Sequence, residues 1–528
     1  MALAFAHGAV QWLSAHAAAT EYAVTGLGFA PKALRFYWFG IQSAVDSSSK
    51  LGSPQPEPSE RRGVGFAAGD VGSPTDITRR AVSSFSQNRA TTSNCDTSAS
   101  DDAVAVTTDG AGARDGLLDI IDINADGFTL RVDDAAPADI TVFWEAWGGS
   151  DIEAVTVGDI AAPGSATTQD VAASGFELDA SDQAVMFAGV QSTAALNSGL
   201  ASDSGLSIGF ATCRGGSPSE FDQVVVCGNA DDSSGTMDTD GYCQTGDSIA
   251  MVVVAGGTTL NSRAQVIGFY EGGFRLNWTT SSVANQRHVF MAVKGGGWRA
   301  GAYTINGSSA SATATVSGIA FAPVGLSLIG RMSAQQSAGA TATNDRIGMG
   351  SGISTASRRA MSAWDETATA SSAANIHQSI EYDSVLTFAA NTGLTAATYD
   401  IDAMNSDGFR IIVDTAGGVS SEWQGYLAFG DAPLVGITGD LAQTLGTATT
   451  TSEADLALAA AATQTLAEAT TTTDVDISIA ASIAQTLGML DLDATLGNFE
   501  VLADFVQTLG AATLAANDTD LSISATLQ

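Results

Sequence analysis

Side chains that enzymes commonly use for catalysis are scarce in this sequence. Its 528 residues include 4 histidines. They lie at positions that no repeat relates to one another: His7, His16, His288 and His377. This scatter favours neither a shared catalytic triad nor a histidine-ligated metal, and no phosphate-binding Walker loop is present. We therefore predict that the protein is not an enzyme and has no catalytic, cofactor-binding or metal-binding residues.

Cysteine is equally scarce. The chain has 4 cysteines at irregular spacing: Cys95, Cys213, Cys227 and Cys243. Their number and spacing argue against a disulfide framework and against a zinc site. The thiols are therefore predicted to be small buried hydrophobic groups. A single disulfide from Cys213 to Cys227 or Cys243 is the alternative.

Positive charge is also in short supply. Lysine and arginine number 21 against 57 aspartates and glutamates, which gives a formal net charge of −36. Such a surface repels phosphate groups, so neither nucleic acid nor an anionic membrane is an expected partner. No stretch approaches the roughly 18 apolar residues of a membrane helix. The first residues lack the basic segment of a secretory signal, so we expect no signal peptide and no membrane insertion.

What the sequence does contain is internal repetition. Three blocks recur in the same order three times. The first block occupies residues 24–40, 171–189 and 316–331, the second 61–69, 205–213 and 344–352, and the third 122–149, 270–296 and 404–431. Copies of this length have the size of single domains. The repeats predict homologous domains at residues 1–150, 151–300 and 301–432.

Each copy has the pattern of β-strands. Apolar and polar residues alternate with a period of two, and Gly, Asp and Ser punctuate the pattern about every ten residues. We therefore predict an all-β protein with three tandem, homologous β-sandwich domains of jelly-roll-like type. The Ala-rich stretch at residues 8–20 is where the sequence favours a short helix.

A second kind of repeat fills residues 436–528. The sequence AQTLG at 442–446 recurs with small changes, which spaces four glutamines at intervals of 21, 21 and 22 residues: Gln443, Gln464, Gln485 and Gln507. Each period has room for two short strands, which must stack on neighbours to bury an apolar face. We predict a C-terminal β-repeat domain, with a single Ig-like sandwich as the alternative.

One segment resembles a calcium-binding loop. In residues 122–133, oxygen-bearing side chains follow the spacing of an EF-hand loop: Asp122, Asn124, Asp126 and Asp133. The other two copies do not retain this set. All three copies retain a glycine followed by phenylalanine, with the glycine at Gly127, Gly273 and Gly408. We therefore predict a hairpin turn in which these glycines adopt positive φ. A divalent ion in the first copy alone is the alternative.

A second acidic segment lies at residues 229–241. It contains Asp231, Asp232, Asp238 and Asp240. We predict a hydrated acidic loop, with a cation site as the alternative.

Two runs of aromatic residues could stack against carbohydrate. They are Tyr37, Trp38 and Phe39, and Phe143, Trp144 and Trp147. Alternate residues of a sandwich strand face the core, so at least half of these rings are predicted to be buried.

The order of the segments GFAPKALRFYWFG, RRGVGFAAG, NADGFTLRV and ITVFWEAWGG resembles β-rich structural modules of tailed bacteriophages. The AQTLG series is similar to repeats at the ends of phage tail and virion-surface proteins. This resemblance implies a virion structural protein, made in the host cytoplasm and acting as a tail fibre or another host-contacting appendage. A capsid-stabilising head decoration protein is the first alternative, and a glycan-degrading appendage enzyme is the second.

The expected partners follow from that resemblance and from the C-terminal repeat. They are other virion proteins, further copies of the chain in a homo-oligomer with a trimer favoured, and a glycan on the host surface. Few large apolar residues are present in the repeat, so oligomerisation is the expected source of additional buried area.

Overall fold

A computed structural model describes residues 3–431 apart from short segments, and it describes the strands of the region that follows. The segments outside the description are 41–42, 44, 52–58, 88–93, 178–181, 202, 214–220, 232–237, 253–259, 337–341, 344, 366–375 and 390–394. The chain divides into two compact units, Met1–Asp431 and Ala432–Gln528. Within the described residues, helical structure is limited to one 3-10 turn at Pro74–Asp76. The all-β prediction is confirmed.

The first domain begins with a strand. Its strands are β1 (Ala4–Trp12), β2 (Glu21–Thr25), β3 (Pro31–Trp38), β4 (Ser47–Leu51), β5 (Ser59–Ala68), β6 (Thr78–Gln87), β7 (Asn94–Ser100), β8 (Ala105–Thr108), β9 (Arg114–Asn124), β10 (Gly127–Asp134) and β11 (Ile140–Gly148). The predicted helix at residues 8–20 is wrong, because β1 occupies its first part. β1 pairs with β11 over its whole length, from Ala4 opposite Gly148 to Trp12 opposite Ile140. This tertiary pairing overrides the helix propensity of alanine.

The second and third domains contribute strands in the same order. The second has β12 (Ala154–Pro163), β13 (Thr167–Ala172), β14 (Gln183–Val190), β15 (Ser198–Ala201), β16 (Ser204–Cys213), β17 (Phe221–Ala230), β18 (Thr239–Thr245), β19 (Ile249–Val252), β20 (Leu260–Tyr270), β21 (Gly273–Ser281) and β22 (Ala284–Lys294). The third has β23 (Gly297–Ile305), β24 (Thr313–Ser317), β25 (Pro323–Arg331), β26 (Ala342–Thr343), β27 (Asp345–Ser354), β28 (Ser357–Asp365), β29 (Ile376–Glu381), β30 (Leu386–Ala389), β31 (Thr395–Asn405), β32 (Gly408–Thr415) and β33 (Glu422–Gly430).

Each domain is a sandwich of a seven-stranded sheet, called the large sheet, and a four-stranded sheet, called the small sheet. The large sheets have the orders β1-β11-β3-β5-β6-β7-β15, β12-β22-β14-β16-β17-β18-β26 and β23-β33-β25-β27-β28-β29-β4. The small sheets have the orders β2-β10-β9-β8, β13-β21-β20-β19 and β24-β32-β31-β30. The three sandwiches share one topology, as the predicted fold class requires.

The last strand of each large sheet comes from a different domain. β15 of the second domain pairs with β7 of the first, β26 of the third pairs with β18 of the second, and β4 of the first pairs with β29 of the third. Each domain therefore gives a strand to one neighbour and receives a strand from the other. Contacts of this heterologous kind close into a ring when the rotation between neighbours allows it. The three domains form such a closed ring, which the sequence repeats did not predict.

Both faces of each large sheet are buried. In β3, Tyr37 faces a core shared by the three domains, whereas its neighbour Phe36 packs against the small sheet of its own domain. In β14, Met186 and Phe187 alternate in the same way. Strands that are covered on both faces lose the polar half of the usual alternation. This explains why β14 is buried at every residue.

The equivalent hairpin glycines lie at the first residues of β10, β21 and β32. The predicted positive φ is confirmed for Gly127 and Gly408, whose φ values of 158° and 157° are close to extended backbone, and it is wrong for Gly273. A Cβ at these positions would lie 1.9, 2.0 and 2.0 Å from backbone oxygens of the adjacent strand. Glycine is therefore required by close approach of two strands.

The second unit is a stack of repeats. Its strands are β34 (Val435–Leu441), β35 (Ala448–Thr450), β36 (Leu456–Ala462), β37 (Ala469–Thr471), β38 (Ile477–Ile483), β39 (Met489–Asp493), β40 (Asn498–Phe505), β41 (Ala511–Ala515) and β42 (Asp520–Leu527). The order β34-β36-β38-β40-β42 forms one parallel sheet, and β35-β37 and β39-β41 form two parallel pairs.

The register of this stack matches the sequence period. Val435 pairs with Leu456, which pairs with Ile477, and the series continues to Phe499 and Leu521. Partners are thus one period of 21 or 22 residues apart along the chain. Parallel pairing of this kind corresponds to the predicted β-repeat rather than to an antiparallel Ig-like sandwich. The AQTLG-type segments and their glutamines lie outside the described residues.

Candidate functional site

The large sheets of the three domains enclose one shared hydrophobic core, called the inter-domain core. Every domain contributes large side chains to it: Tyr37, Trp147, Met186, Met291, Trp298 and Phe429. Trp147 connects two domains, because its ring centroid lies 6.2 Å from that of Trp298 and 5.5 Å from that of Phe429. Fully burying such side chains contributes about 1.5–3 kcal/mol each. The inter-domain core is therefore a main source of cohesion between the domains.

Charged side chains also lie inside this region. Arg35 of β3 and Glu145 of β11 are cross-strand neighbours with no solvent exposure, and Arg35 donates to a Glu145 oxygen at 2.6 Å. Ser327 of the third domain donates to the other Glu145 oxygen at 3.0 Å. The Arg35 guanidinium also lies 5.4 Å from the ring centre of Phe210 in the second domain. One ion pair of the first domain thus contacts both other domains.

Arg62 lies where the three domains meet. Its guanidinium forms an ion pair with Asp345 of the third domain and donates to the carbonyl oxygen of Gly228 in the second domain at 3.3 Å. Glu60 lies 3.7 Å from the same guanidinium. Burial raises the pKa of Asp345 to about 6 although Arg62 opposes the shift. Burial and the neighbouring Asp365 raise the pKa of Glu60 well above its usual range.

The four histidines do not come together. His7 lies between the first and third domains, His16 bonds to Tyr22 at 2.7 Å, His288 lies in the second domain's own core, and His377 stacks near Trp364. Burial and the charge of Arg359 lower the pKa of His7 to about 3. Burial alone lowers that of His288 to about 3. These two rings stay neutral near pH 7, which makes them weak general bases.

Serine side chains do lie near His7. Ser351 Oγ is 3.0 Å from Nδ1 and Ser357 Oγ is 2.9 Å from Nε2. His7 is 8% exposed, so this contact holds two domains together in a site closed to substrates.

The G-x-S-x-G spacing at residues 205–209 lies within β16, and Ser207 is 2% exposed. A serine nucleophile of that motif needs an exposed strand-to-helix turn.

Stability is expected to depend on pH through these buried groups. Burial raises the pKa of Glu422 to about 7 and that of Asp345 to about 6, so these groups bind protons more tightly in the folded protein than in the unfolded chain. Their contribution to the free energy of unfolding is therefore lost as pH rises through 6 to 7. His7 and His288 have lowered pKa values, so their contribution is present above about pH 6.5 and is lost as pH falls toward 3. We expect the largest free energy of unfolding near about pH 5. Urea unfolding at about pH 3, 5 and 8 measures it, and a steady rise up to pH 8 would contradict this expectation.

The calcium-like segment is a turn whose carboxylate binds the backbone. Asp126 accepts hydrogen bonds from the amides of Gly26 at 2.9 Å and Gly28 at 2.7 Å. In the third domain, Asp407 accepts equivalent bonds at 3.0 and 2.7 Å. Asn124 accepts from the Asp126 amide at 3.0 Å. The turn prediction therefore accounts for Asn124 and Asp126, two of the four side chains that suggested a calcium loop.

Replacing Asp126 tests this assignment. Asp126→Ala removes two hydrogen bonds to backbone amides at an exposed turn, so we expect a loss of about 1 kcal/mol in the free energy of unfolding. Calcium affinity of the full chain is expected to stay unchanged. Thermal unfolding and calorimetric titration of the variant measure the two quantities. A variant with wild-type stability and weaker calcium binding would show that the segment holds an ion.

The second acidic segment is not a hydrated loop where it is described. Asp231 is 7% exposed and Asp240 is 5% exposed. Asp231 accepts from the amide of Asp238 at 2.7 Å. Asp240 pairs in β18 with Thr343 of β26, so the strand given by the third domain covers this edge. The prediction of hydration is wrong for these residues, and Asp232 lies outside the described residues.

The aromatic and cysteine predictions have definite outcomes. All six aromatic residues are buried: Tyr37, Trp38, Phe39, Phe143, Trp144 and Trp147. They cannot form a carbohydrate-stacking surface, because the large sheet is covered on both faces. All four cysteines are buried thiols, as predicted: Cys95, Cys213, Cys227 and Cys243. No helix among the described residues is long and apolar enough to cross a membrane.

Comparisons with known proteins assign no family to the chain. No family model and no curated protein matches it. The solved LG1-3 region of the laminin alpha2 chain is 9% identical, with 80% of this chain and 94% of that chain covered and a TM-score of 0.10. Domains LG4-5 of mouse laminin alpha1 are 7% identical, covering 54% and 87%, with a TM-score of 0.10. The SPP1 phage Dit protein is 10% identical, covering 50% and 98%, with a TM-score of 0.09. Scores this low support no conclusion.

Proposed function

We propose that this protein is a structural component of a bacteriophage virion and serves as a tail fibre or another host-contacting appendage. The observation that carries the proposal is the closed ring of three sandwiches that exchange strands. In such a ring, each domain is held by backbone hydrogen bonds to both neighbours. Separating one domain requires breaking two strand pairings and opening the inter-domain core. We expect such a structure to resist unfolding under mechanical force.

The placement of reactive groups supports a structural role. The ion pair of Arg62 with Asp345 joins the first domain to the third, that of Arg35 with Glu145 lies within the first domain against the other two, and both are closed to solvent. The described histidines lie apart, and the aromatic runs are internal. The sequence resemblance to phage β-modules adds the virion context, and the parallel C-terminal stack is consistent with an elongated element.

A head decoration protein is the second candidate. The observation that favours it is the threefold arrangement that one chain achieves with three homologous domains. Such a body fits a capsid position with local threefold symmetry. A homotrimer of the whole chain stays a prediction. One chain is enough for the threefold arrangement, because the ring already places three sandwiches around one centre, and the C-terminal strands pair within the chain. Light scattering of the full chain measures its oligomeric state.

The decisive experiment is localisation on intact virions. Antibodies against the purified full chain, visualised by gold labelling, are expected to mark a tail appendage, and the protein is expected to bind host cells. Labelling over the capsid at high copy number would favour the decoration role. Absence of the protein from purified virions would overturn both candidates. Release of reducing ends from host glycan by the purified chain would show an enzyme instead.

A further inference from the structure

A cysteine of the second domain contacts a glutamine side chain of the third. Cys243 lies on β18 and has no solvent exposure, and Gln336 lies on the segment that follows β25. The Cys243 thiol donates to Gln336 Oε1, with a distance of 3.1 Å between sulfur and oxygen. The thiol therefore lies against a carboxamide, which is an acyl group that a sulfur nucleophile can attack.

Backbone contacts hold the carboxamide in this position. Gln336 Oε1 accepts from the backbone amide of Cys243 at 2.8 Å, and the backbone amide of Gln336 donates to the Cys243 carbonyl oxygen at 3.2 Å. The side chain of Gln244 donates to the Gln336 carbonyl oxygen at 2.7 Å. Attack on the carboxamide carbon places negative charge on Oε1. A fixed N–H donor at that oxygen stabilises the charge, as in an oxyanion hole.

A serine hydroxyl connects the thiol to the nitrogen of the same carboxamide. Ser333 Oγ lies 3.9 Å from Cys243 Sγ and accepts from Gln336 Nε2 at 3.2 Å. Burial raises the pKa of the Cys243 thiol to about 11, although the charge of Arg331 opposes the shift. The thiol is therefore protonated near neutral pH and must release its proton as it attacks. Ser333 is placed to pass that proton to Nε2.

We propose that Cys243 and Gln336 form an internal thioester between the second and third domains. The Sγ–Cδ bond forms and the Cδ–Nε2 bond breaks. The thiol proton moves through Ser333 Oγ to Nε2, and ammonia leaves. The reaction needs no oxidant or reductant, and burial of Sγ protects the new bond from water. The bond does not depend on the role proposed for the whole protein.

The thioester joins two domains where their strand exchange is shortest. β26, which the third domain gives to the second, has 2 residues, whereas β15 has 4 and β4 has 5. The pairing of β26 with β18 is limited to Thr343 opposite Asp240 and Ala342 opposite Gly241. Cys243 lies on the same β18. A covalent bond from this strand therefore reinforces the crossing that has the fewest paired residues.

The thioester is also an acyl donor toward a primary amine. Gln336 is half-buried, and its neighbours Ala334 and Gln335 are exposed. A small amine can therefore approach the carbonyl carbon from the solvent side. Its attack forms an amide with the Gln336 acyl group and returns the Cys243 thiol. A primary amine is the chemical class of substrate for this site.

The intact mass of the purified full chain, measured after denaturation, tests the proposal. We expect a mass lower than that of the sequence by one ammonia molecule, and one titratable thiol fewer than the 4 cysteines of the sequence. Methylamine added to the folded protein is expected to restore the missing thiol and to add its mass at Gln336, located by peptide mapping. Conversion of Gln336 to glutamate, abolished by Cys243→Ala, is the hydrolysis product and would also support the proposal.

Two variants remove the reacting groups. Cys243→Ala and Gln336→Ala are each expected to keep the full mass of their sequences and to be inert to methylamine. Gln335→Ala is the matched control, because that neighbouring glutamine donates to Gln244 and Thr245 instead. It is expected to retain the loss of ammonia and the response to methylamine. If a variant fails to fold, methylamine labelling of the wild type still decides.

Ser333→Ala tests the proton path. Near neutral pH it is expected to lower the fraction of chains that carry the thioester by about tenfold or more, because the thiol loses its proton acceptor. The fraction is expected to recover as rising pH ionises the thiol, a response that a purely structural role of Ser333 would not produce. Thioester formation as complete as in the wild type would overturn the role of Ser333. A folded wild-type chain with its full mass, all its thiols and no methylamine label would overturn the thioester.

Discussion

Arg62→Ala is expected to lower the free energy of unfolding of the ring by about 3–5 kcal/mol. The variant leaves Asp345 and Glu60 buried beside each other without their shared cation, and it removes the hydrogen bond to the Gly228 carbonyl oxygen in the second domain. Removing one member of a buried ion pair costs the full desolvation of the other. Urea unfolding of the full chain, followed by tryptophan fluorescence, measures the change.

An exposed ion pair supplies the control. Arg275 and Asp170 form a pair at 2.5 Å, with side chains 50% and 52% exposed. Arg275→Ala is expected to change the free energy of unfolding far less than Arg62→Ala does, because solvent screens such exposed pairs. The double variant Arg62→Ala, Asp345→Ala is expected to recover part of the loss, since it removes a stranded carboxylate. Equal small losses at Arg62 and Arg275 would show that the three-domain junction does not depend on this charge.

Gly408→Ala is expected to destabilise the third domain by about 3 kcal/mol. A Cβ there would lie 2.0 Å from the carbonyl oxygen of Val316 in β24, and backbone atoms of a paired strand cannot move away cheaply. The small sheet must therefore shift or lose the pairing of β24 with β32. Thermal unfolding of the full chain measures the effect, and a β-branched replacement, Gly408→Val, is expected to cost more.

Gly268→Ala is the matched control for that substitution. Gly268 lies in β20 of the second domain with no positive φ, and a Cβ there would meet nothing within 4 Å. Its replacement is expected to be neutral or to stabilise by about 0.5 kcal/mol, because alanine lowers the entropy of the unfolded chain. Similar losses for both variants would contradict the close-approach explanation of the hairpin glycines.

The hairpin glycines show what the sequence could predict and what it could not. Their recurrence at Gly127, Gly273 and Gly408 correctly indicated three equivalent hairpins. It did not reveal the close approach of the neighbouring strand, because a sequence shows that a side chain is absent but not which atom a Cβ would contact. The calcium-like segment is similar. Comparison of the three copies favoured a turn, and the structure added the amides that Asp126 binds.

The crossing of β4 onto the third domain shows what the sequence could not reveal. Asp46 lies far along the chain from Glu381 and Asp383, and no local spacing links them. They meet because β4 leaves its own domain and pairs with β29. Local motifs cannot detect side chains that only strand exchange brings together.

The sequence by itself determined the all-β class, the three repeats and the 21-residue step of the C-terminal strands, because period-two alternation and recurrence are properties of the chain alone. Only the tertiary structure decided that both faces of the large sheets are buried and that each domain gives a strand to its neighbour. The physical reason is that alternation records which residues share a face of a strand. What covers that face, and which strand completes a sheet edge, depends on contacts between distant segments whose free energy no local pattern records.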